Sequence, residues 1–332
     1  TQLARDYGTT QPAAIRLNYG MQRTRGGGNA VRAVACLPAL IGAWRHRAGG
    51  LLLSSSSHSP VNTQRLHMPQ LLEDRRPRLI NMSTIGNALL DTCSPPIDAL
   101  VVYNSNPVAV APESAKVAAG FAREDLFTVV LEHFMTDTAD YADYVLPATT
   151  QLEHWDIHTS YGHTDVLLNQ PAIAPVGQAR SNADIFRGLA KQMARYDSAF
   201  AAPHFQDSDE ALCRQALEGS KINFAQLLQQ GFAQQDLPDA PFAEGRFATP
   251  SGKCEFVSPV LEQLGINPLP DYLPNHETPS AQYPLAMISP PARNFLNSTF
   301  VNVKTLRHIE GRPELEIHPD DAAARGIADG DV

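Results

Sequence analysis

The sequence has no closely paired cysteines, and this absence removes several classes of metal site. Its four cysteines in 332 residues are Cys36, Cys93, Cys213 and Cys254. No two of them form a CxxC pair, and such wide spacing argues against a zinc or iron–sulfur site within these residues. We expect reduced thiols that contribute to packing, and no metal ligands.

A basic surface and a long apolar run are also missing. The chain carries 26 Lys and Arg against 35 Asp and Glu, a net charge of −9. Without a basic stripe there is little to displace phosphate counterions, so we expect no nucleic-acid partner and a small molecule as substrate. No apolar stretch approaches the ~20 residues that span a bilayer, so we expect no membrane span. No signal peptide opens the sequence.

The sequence lacks an initiating methionine as well. It begins at Thr1 and stops at Val332. Its last residues have the composition of a turn that leads into a strand. We therefore expect a fragment of a longer protein. We expect a cytoplasmic location, with a periplasmic one left open because any leader would precede Thr1.

What is present is organised around residues 129–154, VVLEHFMTDTADYADYVLPATTQLEH. An apolar strand passes through a Thr- and Asp-rich turn and a short helix into a second apolar strand that ends at Pro147. Upstream, the apolar run 99–103 is followed by a helical pattern. Short apolar strands alternating with helices predict parallel pairing with both faces covered, as in half of a doubly wound α/β sheet.

Polar residues collect where these predicted strands end. Ligands of such sheets bind outside the carboxyl ends of the strands. The candidates there are Asn104, Asn106, Glu132, His133, Thr136, Thr138 and Thr149. Each residue alone is as well explained as a turn or cap residue, and it is their number at one edge that favours a binding site.

Two of these segments resemble a known family. TDTADYADYVLPATTQLEH resembles the Thr-x-Thr-Ala-x-x-Ala-Asp-x-x-Leu-Pro signature, followed by Glu, of the molybdopterin oxidoreductases of the dimethyl sulfoxide reductase family. YNSNP is similar to that family's Asn-x-Asn-Pro turn. The resemblance implies a bis-molybdopterin guanine dinucleotide cofactor with molybdenum. His133 stands where many relatives have aspartate, and we expect it to face the nucleotide.

A glycine-rich segment follows a predicted strand at 13–17 and opens a predicted helix at 29–44. Free amides at such a helix start are a candidate anion site, although the spacing is not GxGxxG and a flexible turn explains it equally well. GMQRTRGGGNAVRAVACLPALIG is similar to the family segment that passes beneath the cofactor. That resemblance implies that Asn18 and Gln22 contact a pterin, with Arg23 beside them, and that Arg32 faces the active site.

Residues 153–163 contain three histidines and two carboxylates in spacings that fit no standard zinc pattern. We expect no metal there. The resemblance implies that Glu153 contacts the cofactor, while His154 stands where lysine is common in the family. The predicted helix 179–193 has Ser181, Asn182 and Asp184 placed to cap it. The resemblance further implies that Asp184 binds guanine, whose ring donors suit an acceptor-only carboxylate.

The sequence predicts a division into residues 1–245, an α/β domain with a surface loop at 51–80, residues 246–282, a hairpin and linker, and residues 283–332. The last segment, with a predicted strand at 284–289, resembles the truncated start of the family's double-psi-like β-barrel domain. The resemblance implies further cofactor-binding residues here: Ser289, Asn297, Ser298 and Thr299.

The resemblance implies two-electron redox or oxygen-atom transfer on a small substrate, with an electron-transfer partner subunit. The molybdenum ligand and a 4Fe-4S cluster would lie outside these residues. A non-catalytic homologue, like the large structural subunit of respiratory NADH dehydrogenase, is the alternative. Asn104, Thr136, Thr138, Asp184 and Ser298 argue against it. A nicotinamide dehydrogenase is disfavoured because GxGxxG is missing.

Overall fold

The computed structural model describes residues 1–92, 94–274 and 278–332, so Cys93 and part of the predicted linker lie outside the described residues. In chain order, the helices are α1 (Gln2–Thr9), α2 (Gly27–Leu40), α3 (Thr63–His67), α4 (Ile85–Asp91), α5 (Pro107–Val110), α6 (Ser114–Phe121), α7 (Asn182–Met193), α8 (Asp209–Ala216), α9 (Phe224–Gln230), α10 (Pro259–Gln263), α11 (Lys304–Glu310) and α12 (Pro319–Ala323).

The strands are β1 (Ala14–Arg16), β2 (Gly50–Leu52), β3 (Ala99–Tyr103), β4 (Phe127–Glu132), β5 (Tyr144–Pro147), β6 (Asp156–His158), β7 (Asp165–Asn169) and β8 (Phe232–Gln234). β1 and β2 pair in parallel, as do β3, β4 and β5. The predicted α/β class with parallel strands is confirmed. Among the described residues, no helix is both long enough and apolar enough to cross a membrane.

The chain forms two compact units that do not follow its linear order. The first unit contains residues 1–76 and 149–287, and the second contains residues 77–148 and 288–332. Each unit has a hydrophobic cluster of its own. The division expected from the sequence, at residues 245 and 283, stays a prediction.

The second unit is built on the parallel sheet β3-β4-β5, in which Val102 faces Val130 and Val130 faces Val145 across neighbouring strands. Val130 is fully buried because helices cover the sheet where its apolar side chains lie. Helices α4 and α6 pack closely because Gly120 lacks a side chain. A Cβ atom on Gly120 would lie 2.8 Å from Cβ of Leu89, which is itself buried.

The first unit contains the two-stranded parallel sheet β1-β2 and the antiparallel sheet β6-β7-β8. Val166 on β7 and Leu227 on α9 are completely buried and belong to one cluster with Leu217 and Cys213. Burial raises the pKa of the Cys213 thiol to about 12, because the low-dielectric core disfavours the thiolate. The thiol is therefore neutral at physiological pH and serves packing.

Two expected elements are absent from the described residues. The segment 246–257 has no strands, and the predicted hairpin is reduced to a turn in which the Phe247 amide donates to the Gly252 carbonyl at 2.9 Å. The reason is aromatic packing, since Phe247 stacks on Phe242 with ring centroids 4.8 Å apart and Trp44 meets both rings edge-on. Residues 284–289 are exposed and form no strand, because no described segment pairs with them.

The predicted surface loop 51–80 contains more regular secondary structure than expected. Its first residues belong to β2, and α3 lies within it. The Asn62 amide donates to the Ala216 carbonyl at 2.7 Å, and the Arg65 guanidinium lies 2.9 Å from the Glu218 carboxylate. These contacts anchor the segment to the end of α8.

Candidate functional site

The carboxyl edge of the sheet β3-β4-β5 brings together six of the predicted site residues. Two of them, Asn106 and Thr138, form a buried network. The Asn106 side-chain oxygen accepts hydrogen bonds from the Thr138 amide at 3.1 Å and from its hydroxyl at 2.7 Å. The Thr138 hydroxyl accepts in turn from the Val108 amide at 3.1 Å. The network ties the turn after β3 to the turn after β4.

Thr136 is buried as well, and its hydroxyl accepts a hydrogen bond from the Ala139 amide at 3.3 Å. Asn106, Thr136 and Thr138 thus hold the two turns in place with side chains that face protein. The Asn106 amide nitrogen also reaches the Asp137 carboxylate at 3.2 Å. These interactions give the three residues a structural role whatever binds at the edge.

The other three predicted residues at this edge lie nearer the surface. Asn104 adopts a left-handed conformation with φ of 54°, which asparagine tolerates better than most side chains, and it is exposed. The Glu132 carboxylate accepts from the His133 amide at 2.7 Å. The His133 ring is 41% exposed, so it does not pack in the apolar core. Its expected contact with the nucleotide stays a prediction.

The four predicted residues near the end of the chain lie in the same unit. Ser289 is exposed. The other three form a tight turn closed by reciprocal bonds between Leu296 and Thr299 at 3.2 and 3.0 Å, with Asn297 in the left-handed region at φ 54° and Ser298 beside it. The Asn294 side chain and nearby amides donate to Glu310, and the Asn294 bond holds the pKa of that carboxyl below its usual value.

In the first unit, Asn18 caps a 3₁₀ turn over residues Tyr19–Gln22, and its side chain accepts from the Tyr19 amide. Gln22 and Arg23 are exposed. Gly27 packs directly on this turn, because a Cβ there would collide with the backbone of Met21 and Gln22. Within the glycine run, close packing therefore requires Gly27, a positive φ of 80° favours glycine at position 26, and Gly28 has open space around it.

Glu153 is buried and acts as a hub between two loops. One carboxylate oxygen accepts from the Thr150 amide at 2.7 Å and from the Thr150 hydroxyl at 2.8 Å. The other accepts from the Val176 amide at 2.6 Å. The next residue, His154, shares a 2.8 Å hydrogen bond with the Thr149 hydroxyl. These bonds give Glu153 a structural role, and its cofactor contact stays a prediction.

Asp184 lies in the first turn of α7 but does not cap the helix. Ser181 is the cap, and its hydroxyl accepts from the Asp184 amide at 3.1 Å. The Asp184 side chain is 48% exposed and lies 3.5 Å from Arg187, whose main partner is Asp209 at 2.6 Å. The capping role considered for Asp184 is thus filled by Ser181, and its carboxylate is available to a ligand.

A cavity of about 530 Å³ opens beside Asp184. Three cations line it, Arg180, Lys191 and the Asp209-paired Arg187. The aromatic rings of Phe200 and Phe205, whose centroids lie 5.9 Å apart, form another part of its wall. Phe205 also packs against the ring of His204 at 4.4 Å. The cavity therefore combines an acceptor-only carboxylate, three cations and an aromatic surface.

Comparisons with known proteins identify the family. Residues 7–192 match the family model described as molybdopterin oxidoreductase, and residues 285–332 match that of the molybdopterin dinucleotide binding domain. The chain belongs to the molybdopterin oxidoreductase family. The resemblance noted in the sequence is thereby confirmed, and relatives such as the reductase described next support the dimethyl sulfoxide reductase family.

Two curated relatives match this chain over different lengths. Probable oxidoreductase YoaE of Bacillus subtilis is 42% identical over 335 residues, which cover 99% of this chain and 48% of that protein. Dimethyl sulfoxide/trimethylamine N-oxide reductase of Rhodobacter capsulatus is 31% identical over 240 residues, covering 64% and 29%. The chain thus spans about half the length of YoaE.

A solved structure, acetylene hydratase from Pelobacter acetylenicus, shares the fold. It superposes with a TM-score of 0.73 at 22% identity, covering 99% of this chain and 51% of that one. At this identity the likeness concerns the fold alone.

The carboxylate, the cations and the aromatic rings that line the cavity beside Asp184 fit the nucleotide part of a molybdopterin dinucleotide. A guanine base presents ring N–H donors that need an acceptor-only partner, and its phosphates need cations. Both kinds of group line the cavity, with aromatic rings that suit a purine face. Sequence patterns alone missed Arg180, Lys191, Phe200 and Phe205. Arg180 precedes the helix cap directly, but nothing in the local sequence relates it to the two phenylalanines.

Proposed function

We propose that this chain is part of a molybdenum-dependent oxidoreductase that binds bis-molybdopterin guanine dinucleotide. The observation that carries the proposal is the cavity beside Asp184, whose groups match the parts of a guanine nucleotide. Family membership supports the same cofactor. The proposed activity is two-electron redox or oxygen-atom transfer on a small substrate such as an N-oxide, an S-oxide, nitrate or formate.

The chain's residues have binding roles in this proposal. Asp184 accepts hydrogen bonds from the two donors of guanine, and because Ser181 caps α7, the carboxylate can turn to the base without loss of the cap. Arg180 and Lys191 neutralise phosphate charge. Phe200 and Phe205 provide an apolar surface for the flat ring.

At the sheet edge of the second unit, the buried Asn106–Thr138 network fixes the turn that presents Asn104 and His133. An amide and an imidazole can each donate one hydrogen bond and accept another. We propose that both contact the cofactor, and that the network keeps their backbone in place without touching the ligand. The turn at 296–299, with Asn297, Ser298 and Thr299, is proposed as a further contact.

The bound cofactor supplies the redox chemistry, while the protein binds, orients and shields it. The residues identified in this chain are binding residues, and we propose that the molybdenum ligand is contributed from outside residues 1–332. We propose further that an electron-transfer partner subunit and a 4Fe-4S cluster serve the complete protein, and that it acts in the cytoplasm.

The activity is tested on the complete protein produced in cells supplied with molybdate. We expect oxidation of a reduced viologen dye when an N-oxide, S-oxide or nitrate is added, or dye reduction with formate. Protein from cells supplied with tungstate is the control, because it keeps the fold and replaces the metal. Equal rates in the two preparations, or no turnover with any of these substrates at full molybdenum loading, would contradict the proposed reaction.

One observation removes part of the sequence argument against the non-catalytic alternative. Asn106, Thr136 and Thr138 are buried and bonded to protein, so a homologue without cofactor would need them equally. Their presence therefore does not argue for the enzyme. Asp184 is different, because its carboxylate neither caps the helix nor is the main partner of Arg187. The two candidates are distinguished by the nucleotide and molybdenum content of the complete protein.

A further inference from the structure

A second cavity of the first unit has a volume of about 930 Å³ and shares no lining residue with the one beside Asp184. It opens after β1 and β2, at the carboxyl ends of two parallel strands, which is where α/β sheets bind ligands. The loop between β6 and β7 forms another wall, contributing Thr159, Ser160, Tyr161 and His163. Hydroxyl groups from this loop and from the serines after β2 line the cavity.

Arg16, the last residue of β1, gives this cavity its fixed positive charge. One terminal nitrogen of its guanidinium donates to the Leu52 carbonyl at 3.1 Å and to the Leu53 carbonyl at 2.6 Å. Those two bonds use the two hydrogens of that nitrogen. The opposite edge, formed by Nε and the second terminal nitrogen, keeps three N–H donors. This edge is the one that binds a carboxylate or phosphate through two parallel hydrogen bonds.

One aromatic side chain contacts Arg16, and its hydroxyl belongs to a hydrogen-bonded group. Its guanidinium carbon lies 5.9 Å from the centre of the Tyr161 ring, within the range of a cation–π contact. The Tyr161 hydroxyl donates to the Tyr19 hydroxyl at 3.2 Å. A hydrogen bond with Ser54 is the main reason why the pKa of Tyr19 is lowered. Tyrosine and serine hydroxyls therefore form one connected group beside the arginine.

His163 contributes a donor of defined position. Its Nδ1 accepts from the Asp165 amide at 3.1 Å, so the neutral ring carries its proton on Nε2. Asp165, the one carboxylate among the described residues that line the cavity, lies 3.9 Å from the same imidazole. Its carboxylate is thus placed next to the His163 ring.

We propose that this cavity binds a phosphoryl group, with Arg16 holding two of its oxygens. A planar carboxylate has two oxygens, and the arginine edge would occupy both. The hydroxyls of Thr159 and Ser160 and Nε2 of His163 would then have no acceptor. A tetrahedral phosphoryl group has further oxygens directed at such donors. The phosphoryl group can come from the dinucleotide of the proposed cofactor or from a separate phosphate or phosphate ester, and only the first source rests on the proposed function.

The test titrates inorganic phosphate into cofactor-free protein and follows binding by ³¹P NMR, with acetate as the planar competitor. Arg16→Lys keeps the charge and can still donate to the Leu53 carbonyl, but it loses the two-donor edge. Thr159→Val removes one hydroxyl at nearly constant volume and leaves the β1–β2 contacts intact. The matched control is Arg246→Lys, since Arg246 pairs with Glu244 at the surface, where its side chain is 85% exposed.

We expect saturable phosphate binding that Arg16→Lys weakens by about tenfold or more, the loss of one charge-assisted hydrogen bond. Thr159→Val should weaken it by about fivefold, and Arg246→Lys should leave it unchanged. Circular dichroism of each variant establishes that it is folded. If Arg16→Lys fails to fold, Thr159→Val still decides the outcome.

A second titration of cofactor-loaded protein distinguishes the sources. Loss of phosphate binding after loading identifies the cofactor's own phosphates as the ligand, whereas persistence identifies a separate phosphate ligand. Either result supports the site. Equal effects of Arg16→Lys and Arg246→Lys, an unaffected Thr159→Val, or displacement of phosphate by equimolar acetate would overturn it. Because the decisive titration uses cofactor-free protein, its failure would leave the proposed molybdenum enzyme untouched.

Discussion

Replacing Asp184 with asparagine separates a nucleotide-binding carboxylate from a structural one. Asp184→Asn keeps the size and shape of the side chain but exchanges one acceptor oxygen for an NH₂ donor. A guanine base offers two N–H donors at the edge in question, so the variant would place a donor against a donor. The carboxylate accepts charge-assisted hydrogen bonds, and their loss costs about 1.5 to 3 kcal/mol. Nucleotide retention should therefore fall roughly 10- to 150-fold.

The effect of the same change on folding should be small. Arg187 lies 2.6 Å from Asp209 and 3.5 Å from Asp184, so it keeps its main partner in the variant. The half-exposed pair with Asp184 contributes about 0.2 to 1 kcal/mol. Because Ser181 caps α7, no hydrogen bond to the helix start is lost. We expect the free energy of unfolding to fall by at most about 1 kcal/mol.

The assay is the amount of guanine nucleotide released by acid from each purified chain of the complete protein, with a thermal melt on the same sample. Glu210→Gln is the matched control. Glu210 also lies in the first turn of a helix and pairs with an arginine, Arg214, at 2.6 Å, but it does not line the cavity. Asp184→Asn should lose nucleotide while Glu210→Gln keeps it. Equal nucleotide content in the two variants would refute the assignment of Asp184 to guanine.

Three further predictions concern the buried groups. Thr138→Val removes the hydroxyl that joins Asn106 to the Val108 amide, and we expect a loss of about 1 to 3 kcal/mol in urea unfolding; an unchanged midpoint would show that the network is not structural. Glu153→Gln places an NH₂ group against donors of Thr150 or Val176 and should cost a similar amount, whereas an unchanged melt would contradict the hub role. Cys213 should resist iodoacetamide at pH 8 until the protein unfolds, because its raised pKa keeps the thiol protonated; mass spectrometry showing it alkylated in the native protein would disprove this.

The sequence alone was sufficient to predict those strands and helices whose positions depend on neighbouring residues. The strands β3, β4 and β5 are short apolar runs, and β3 and β5 are bounded by Asn, Pro and Thr. Both the strands and their ends can therefore be predicted from the sequence. Helix α7 follows from its amphipathic pattern and its serine cap. The same reasoning could not rank Ser181 above Asp184 as the cap, because both are good capping residues within one turn.

Other features depend on residues far apart in the chain. The hairpin expected at 246–257 is replaced by an aromatic stack with Trp44, some 200 residues earlier. The cavity beside Asp184 needs Phe200 and Phe205 to fold back on α7, and the cavity beside Arg16 needs the β6–β7 loop. Asn106 and Thr138 were correctly grouped at one sheet edge, but a pattern of letters does not show that their polar atoms face each other.

The central claim is that the complete protein holds a molybdenum-bound guanine dinucleotide, and its metal and nucleotide content tests this most directly. Elemental analysis of the complete protein purified from molybdate-supplied cells is combined with chromatography of the acid-released nucleotide on the same sample. The account predicts molybdenum and guanine nucleotide together, both lost in proportion in Asp184→Asn. A folded complete protein that contains neither would contradict the account and favour the non-catalytic homologue.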